Sequence, residues 1–290
     1  MCHTQEIFCP VTAQHRHPGT IMLDHALKYP FLLHGLLALS TFHLGQCQAD
    51  SRENYHAHSR KFLSQGLEAF NGVVTRLNEE NIIPAFVFSS IVGYCKFAHV
   101  FSTLHRSVND FLDQLIEAIT MLRGVNIVLG GWWDVITAST LFKALYAGAG
   151  PPHIPPRFDE ESKELSDLRR FLRESQLDPA SVFTCGEAVA QLQAMYDLQA
   201  NESDLAKDGA PEFVWFITMP GAFHTLLLQR QSEALVVVAY LTPLLHRRRN
   251  NWLIGNSGEI LLNAIHDHLG PNMERWLPAP IVATGTHKDS

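Results

Sequence analysis

The segment from Ala26 to Gly45 reads ALKYPFLLHGLLALSTFHLG, and it decides the fold class of this chain. Nearly every residue from Phe31 to Leu44 is apolar or small, and β-branched residues are almost absent, which favours a helix over a strand. Pro30 fits the first turn of such a helix, where its missing N–H is no loss. A helix that is apolar on all faces has to be surrounded by other helices. The segment therefore predicts the central helix of an all-α domain.

Helical patterns continue along the rest of the chain. From Glu53 to Leu77, apolar residues recur at three- and four-residue steps, which is typical of an amphipathic helix. A second apolar segment, IIPAFVFSSIVGYCKFAHVF, begins after Asn81. The valine-rich stretch 235–239 also fits a buried strand, although helices are predicted on both sides of it. We expect about ten helices, no sheet, and a single large multi-helix domain around an apolar pocket.

Proline, glycine and polar clusters predict the boundaries of this domain. Residues 1–19 show little periodicity and are interpreted as a flexible N-terminal arm. The all-α domain is expected to span 20–280, and a polar tail follows at 281–290. The four prolines and two glycines in GAGPPHIPPRFDEES predict a surface loop or a link between sub-domains at 148–160.

Composition restricts the function classes. The 290 residues are 46% hydrophobic, which indicates a globular chain, and the net charge of −7 is a poor match for nucleic acid or an anionic membrane. The opening apolar run is shorter than the roughly 20 residues that a membrane span needs. Five scattered cysteines without a C-x-x-C pair suggest reduced thiols, and the N-terminus has no secretory pattern. We therefore expect an intracellular protein, nuclear or cytoplasmic.

No metal site is predicted, although the chain has sixteen histidines. His56 and His58, like His266 and His268, are two residues apart, so on a helix their side chains point in different directions. The acidic motif DEESKE at 159–164 could hold Mg²⁺ in an all-α enzyme, but no second acidic motif accompanies it. Its position before a polar helix is typical of acids that stabilise a helix N-terminus. We expect no metal and no other cofactor.

No catalytic residue is predicted either. Cys95 and His99 are four residues apart and would suit a thiolate–imidazole pair, but a buried free thiol is the commoner outcome. The turn at 255–258, GNSG, misses the G-x-S-x-G motif by one position and lacks its strand-then-helix context. The basic cluster 246–249, HRRR, suits a helix C-terminus and could also bind a carboxylate or phosphate of a partner.

The densest aromatic cluster lies between Phe213 and Phe223, and Pro220-Gly221 interrupts the helical pattern inside it. A broken, aromatic-rich helix suits the wall of an apolar ligand pocket. Plain core packing would use the same residues, so the pattern leaves both interpretations open.

Several segments follow one another in a specific order and spacing. They are the opening segment, the helix with Tyr55-x-x-x-Ser59, Glu80-Asn81, Phe86-x-Phe88-Ser89, Leu122-Arg123-Gly124, Phe213-x-Trp215, Pro220-x-x-Phe223 and EALVVVAYLTPLLHRRRNNWLIGNSGEILL. Taken together, they resemble the C-terminal regulatory domain of fungal zinc-cluster transcription factors of the sterol-uptake control type. The resemblance covers about residues 22–278.

This resemblance implies an all-α ligand-binding domain with a deep apolar pocket for ergosterol or a similar sterol. In that family, loss of the ligand exposes the protein for nuclear entry and activation of sterol genes. Aromatic clustering and the family resemblance together suggest these ligand-binding residues: Phe88, Trp215, Phe216, Met219, Phe223 and Trp252. The family's DNA-binding module has six closely spaced cysteines followed by basic residues, whereas only Cys2 and Cys9 stand near the start here. We therefore expect no zinc-cluster module and no direct contact with nucleic acid.

Two functions from different classes follow. The first is a transcription-regulator-like protein that binds a sterol-like or terpenoid molecule and acts as a homodimer or with a partner regulator. The second is a repurposed pocket that acts as a cofactor-independent cyclase or isomerase on a polyketide or terpenoid intermediate of fungal secondary metabolism. The first is favoured because the sequence shows no acid–base pair.

Overall fold

The computed structural model describes residues 18–103, 105–145, 163–200 and 212–285, and these ranges contain helices and turns but no strand. The predicted all-α fold class is confirmed. The helices are α1 (Pro18–Lys28), α2 (Pro30–Cys47), α3 (Arg52–Asn71), α4 (Ile82–Ser102), α5 (Val108–Arg123), α6 (Val125–Leu129), α7 (Trp133–Ala138), α8 (Thr140–Leu145), α9 (Lys163–Glu174), α10 (Pro179–Ala200), α11 (Glu212–Thr218), α12 (Gly221–Leu228), α13 (Ser232–Ala239), α14 (Thr242–Arg247), α15 (Ser257–Leu269), α16 (Pro271–Glu274) and α17 (Pro278–Thr284).

The helices in the described ranges are shorter and more numerous than the sequence predicts, because proline and glycine interrupt several apolar runs. Pro220 separates α11 from α12, and Pro243 occupies the first turn of α14. Gly270 ends α15 with a φ of 68°, which residues with a Cβ rarely adopt. The valine-rich stretch 235–239 belongs to α13, and its residues are buried. Packing therefore decides its structure, and β propensity does not.

The chain divides into two compact units. The first unit contains described residues 18–99 and 118–145, and the second contains 100–103, 105–117, 163–200 and 212–285. The predicted link at 148–160 and nearly all of the predicted arm lie outside the described residues. The predicted tail overlaps α17, which continues to Thr284.

The predicted central helix is α2, and it packs in the first unit against α1 and α3. Leu32, Ala38 and Leu39 are fully buried, while Leu37 is 38% exposed and is the clearest apolar exception on this helix. The Ser59 hydroxyl of α3 donates a hydrogen bond to the Ala38 carbonyl of α2 over 2.7 Å. This bond satisfies a buried hydroxyl and fixes α3 against α2.

Phe88 of α4 fills the space between α2 and α3. A Cβ on Gly35 would lie 2.7 Å from its ring, and a Cβ on Gly66 would lie 2.8 Å from it. Phe31 and Phe70 complete the aromatic core, with ring centroids 5.5 and 5.0 Å from that of Phe88. The two glycines are therefore needed for the close approach of three helices to one ring.

Helix α4 is long and apolar enough, by length and composition, to cross a membrane. However, 72% of its most apolar window is buried inside the protein. Burial against other helices is the usual environment of a core helix with this composition.

The second unit is built around α10, which contacts α9, α11, α12 and α13. The packing of α14 on α15 also depends on a glycine, because a Cβ on Gly258 would lie 2.7 Å from the Thr242 carbonyl oxygen. These contacts bring the segments on either side of 201–211 into one helical core.

Arg230 occupies a strained turn between α12 and α13, with a φ of 52°. Its guanidinium donates to the Oδ1 and carbonyl oxygens of Asn109, over 2.7 and 3.0 Å, and forms an ion pair with Asp113. These bonds tie the turn to the first turns of α5 and compensate for the unfavourable backbone conformation.

We expect Gly66→Ala to lower the free energy of unfolding by about 1–3 kcal/mol, because the new methyl group would collide with the Phe88 ring. Gly186→Ala in α10 is the matched control, since nothing lies within 4 Å of the added Cβ. This control should raise stability by up to about 1 kcal/mol. Urea titrations followed by circular dichroism measure both values. Equal stabilisation by the two substitutions would contradict the tight packing at Phe88.

Candidate functional site

The predicted aromatic cluster forms a compact group in the second unit, at the break between α11 and α12. The Trp215 ring meets the rings of Phe216 and Phe223 edge to face, with centroid distances of 5.4 and 5.8 Å. Trp215, Phe216 and Phe223 are fully buried, and Met219 is 1% exposed. Pro220 ends the first helix and begins the second, so rings from both sides of the break face one another.

Trp215 is held in a fixed orientation. Its indole Nε1 donates a hydrogen bond to the Ala188 carbonyl oxygen of α10 over 3.0 Å. Trp215 therefore anchors α11 on α10 and presents only its apolar ring to Phe216 and Phe223. A buried indole of this kind combines a large apolar surface with one directed polar bond.

The structure brings four of the six predicted ligand-binding residues into one segment of the second unit: Trp215, Phe216, Met219 and Phe223. Phe88 belongs to the first unit, where it fills the space between Gly35 and Gly66. Trp252 lies in the turn between α14 and α15 and is partly exposed.

A buried ion pair stands at the start of α11, three residues before Trp215. The Glu212 Oε1 and Arg248 Nε atoms are 2.6 Å apart, and the two side chains are only 2% and 5% exposed. Gln199 of α10 donates from its amide nitrogen to Glu212 Oε1 over 2.7 Å and to the Leu244 carbonyl over 3.0 Å. The ion pair therefore fastens α11 to the end of α14, and Gln199 connects both to α10.

Two residues of the basic cluster 246–249, Arg247 and Arg248, take part in this internal network. Arg248 pairs with Glu212, and the Arg247 guanidinium lies over the Tyr196 ring at 5.5 Å from its centroid. Arg247 also donates to Gln199 Oε1 over 3.3 Å. Sequence spacing gives no sign of the Glu212–Arg248 pair, because 35 residues separate the two charges along the chain.

A second polar connection runs through buried tyrosines. The Tyr196 hydroxyl donates to the Tyr240 carbonyl over 2.8 Å, and the Tyr240 hydroxyl donates to the Trp276 carbonyl over 3.0 Å. Burial raises the pKa of Tyr240, so its hydroxyl remains a proton donor. The Trp276 ring is flanked by the guanidinium groups of Arg170 and Arg275. These contacts join α9 and α10 to the residues that directly follow α13 and α16.

The buried thiols are unsuited to nucleophilic chemistry. Burial raises the pKa of Cys95 to about 12 and that of Cys185 to about 12. Cys95 is therefore a protonated core thiol, despite its predicted spacing from His99. Ser257 of the GNSG turn is fully buried in the first turn of α15, so its hydroxyl is inaccessible to a substrate.

Within the part of the chain that the structure describes, no group of three or more histidine, cysteine or acidic side chains could hold a metal ion. Most of the acidic motif 159–164 lies outside these residues.

The sequence profile of the fungal specific transcription factor domain matches residues 3–175, which is more than half of the chain. The chain therefore belongs to the family of the fungal specific transcription factor domain. A comparison with curated proteins gives no match. The matched range includes all described residues of the first unit, whereas the aromatic cluster and the Glu212–Arg248 ion pair lie beyond it.

We expect Glu212→Gln to lower the free energy of unfolding by about 3–5 kcal/mol, because it leaves the Arg248 charge buried without its counter-ion. The double variant Glu212→Leu/Arg248→Met should recover most of this loss, since it removes both charges. Urea titrations of wild type, the single variant and the double variant measure these changes in the free energy of unfolding.

The exposed pair Arg60–Glu53 provides the control for this experiment, with side chains 49% and 84% exposed. Glu53→Gln should leave stability unchanged within error, because solvent screens the pair. Similar losses for Glu53→Gln and Glu212→Gln would contradict a special role for the buried ion pair.

Thiol labelling should separate the described cysteines by burial. Cys47 is exposed and should react readily with iodoacetamide in the native protein, whereas Cys95 and Cys185 should react only after unfolding. With pKa values of about 12, only about one in ten thousand of these buried thiols is ionised at pH 8. Peptide mass spectrometry of labelled protein, with a urea-unfolded control, gives the rates. Native labelling of Cys95 as fast as that of Cys47 would show that the core is open.

Proposed function

We propose that this chain is the regulatory domain of a fungal transcription regulator that binds a sterol or a similar apolar small molecule. The match to the fungal specific transcription factor domain is the observation that supports a regulator. The resemblance to the sterol-uptake control type supports a sterol as the ligand class. Under this proposal the protein acts inside the cell and in the nucleus, as a homodimer or with a partner regulator, and does not contact nucleic acid directly.

The proposed binding region is the aromatic cluster formed by Trp215, Phe216, Met219 and Phe223. A sterol is a rigid apolar body, and these four side chains present apolar surface on both sides of the break at Pro220. The break is the natural place for the cluster to open, because the Pro220 nitrogen has no proton to donate to a continuous helical hydrogen-bond ladder. Binding there would replace ring–ring contacts by ring–sterol contacts.

One polar group near the cluster matches the single hydroxyl of a sterol. Glu212 lies one helical turn before Trp215 on the same face of α11, and its carboxylate accepts hydrogen bonds in a buried environment. An apolar ligand with a hydroxyl at one end could therefore contact aromatic side chains and a hydrogen-bond acceptor along the single helix α11. A hydrocarbon of the same size without the hydroxyl should bind more weakly.

We expect purified protein to bind ergosterol, with a change in the emission of Trp215 and Trp252 and a rise in the thermal unfolding midpoint. Phe223→Leu should weaken binding about tenfold, because it removes an aromatic contact from the cluster. Fluorescence titration with cyclodextrin-delivered ergosterol gives the dissociation constant. Absence of any change in emission or unfolding midpoint across the soluble range would reject the sterol proposal.

Phe70→Leu is the matched control, since Phe70 belongs to the aromatic core of the first unit with Phe31 and Phe88. It should reduce stability but leave the dissociation constant unchanged. Mass spectrometry of the ligand after incubation separates the two function classes. Recovery of unchanged sterol or terpenoid supports a regulator, whereas conversion would support a cyclase or isomerase.

A further inference from the structure

Two imidazoles meet where α2, α3 and α4 pack together in the first unit. His56 of α3 is 4% exposed, and its ring stacks on that of Phe42 at a centroid distance of 4.5 Å and an angle of 2°. The ring of His99 on α4 lies edge-on to His56, with centroids 6.4 Å apart. The arrangement buries a titratable ring in an apolar contact between α2 and α3.

The free edge of His56 faces the backbone of α2. A Cβ on Gly45 would lie 2.8 Å from His56 Cδ2 and 3.1 Å from its Nε2, so the glycine lets the ring approach closely. Among the described residues, no hydrogen-bond partner contacts His56 Nε2. A proton on this atom would therefore be buried without an acceptor, which is unfavourable.

The nearby cations also oppose protonation of the two rings, whereas Glu53 favours it. On α3, Arg52 and Arg60 act against a charge on His56, and only Glu53 favours it. Arg60, His56 and Lys96 act against a charge on His99 of α4, and Glu53 favours it. The last two turns of α2 carry the titratable groups His43 and Cys47, whose Nε2 and Sγ atoms are 3.5 Å apart. Glu53 is itself hydrogen-bonded to Arg60, over 2.9 Å.

We infer that the His56–His99 pair is an acid-sensitive switch in the first unit. It holds α2, α3 and α4 together while both imidazoles are neutral, and it loosens the contact between α2 and α3 when they take up protons. The range in which histidine titrates includes modest acidification of a cell interior. The switch lies in the part of the chain that carries the family match, and it does not depend on ligand binding.

The direction of the pH dependence follows from burial. Desolvation lowers the pKa of both His56 and His99 below the ordinary value of 6.5, with the neighbouring cations as further causes. The unfolded chain therefore takes up protons first as the pH falls through 6.5, and stability declines until the folded state is also protonated. Well above pH 6.5, both rings are neutral in the folded and the unfolded chain, and the full stability is present.

The experiment compares thermal unfolding of the full chain at pH 7.5 and pH 5.5 for wild type and His56→Gln. Between pH 7.5 and pH 5.5, the thermal unfolding midpoint should fall further for wild type than for His56→Gln. For each unit by which the pKa of His56 lies below 6.5, protonation favours unfolding by about tenfold at low pH. His58→Gln is the matched control, because His58 lies on the same helix and is exposed. It should keep the wild-type pH dependence.

Two further measurements keep the inference testable if His56→Gln fails to fold. Histidine side-chain NMR of wild type should place the titrations of His56 and His99 below 6.5. Hydrogen exchange at pH 5.5 should increase in peptides from 42–60 more than in peptides from the second unit. A His56 titration at or above 6.5, or equal acid sensitivity of wild type and His56→Gln, would overturn the switch.

Discussion

Close approach of helices at glycines is the constraint on which both units depend. In the first unit, Gly35 and Gly66 leave room for the Phe88 ring, and a methyl group at either position would lie within 3 Å of it. In the second unit, Gly258 brings α15 within the same distance of the Thr242 carbonyl. Helices in a core pack closely and leave few voids, so these glycines set the local spacing of the helices in each unit.

Buried polar groups add specificity to this apolar packing. A hydrophobic contact accepts many orientations, whereas the Glu212–Arg248 ion pair and the bond from Trp215 to Ala188 each accept one. Both act on α11, a helix of seven residues that is too short to be stable alone. The orientation of the aromatic cluster therefore depends on polar contacts with α10 and α14.

Two Cys–His combinations with the same four-residue spacing show how tertiary structure changes chemistry. The pair Cys95 and His99 attracts attention in the sequence, but burial keeps the Cys95 thiol protonated. The pair His43 and Cys47 has an exposed thiol in contact with an imidazole. Spacing on a helix states only which residues share a face, and the neighbouring helices decide whether that face meets water.

Local composition determined the fold class, because leucine, alanine and phenylalanine at helical steps favour helices over strands. It also identified α2 as a core helix and the aromatic segment around Pro220 as a break between two helices. The order of the motifs was enough to predict the family that the profile match supports. Tertiary structure decided the rest. Phe88 lies in the core between Gly35 and Gly66, and Arg248 pairs with Glu212, which lies 36 positions earlier in the chain. His56 is buried between helices. These outcomes depend on contacts between residues far apart in the chain, which no local pattern records.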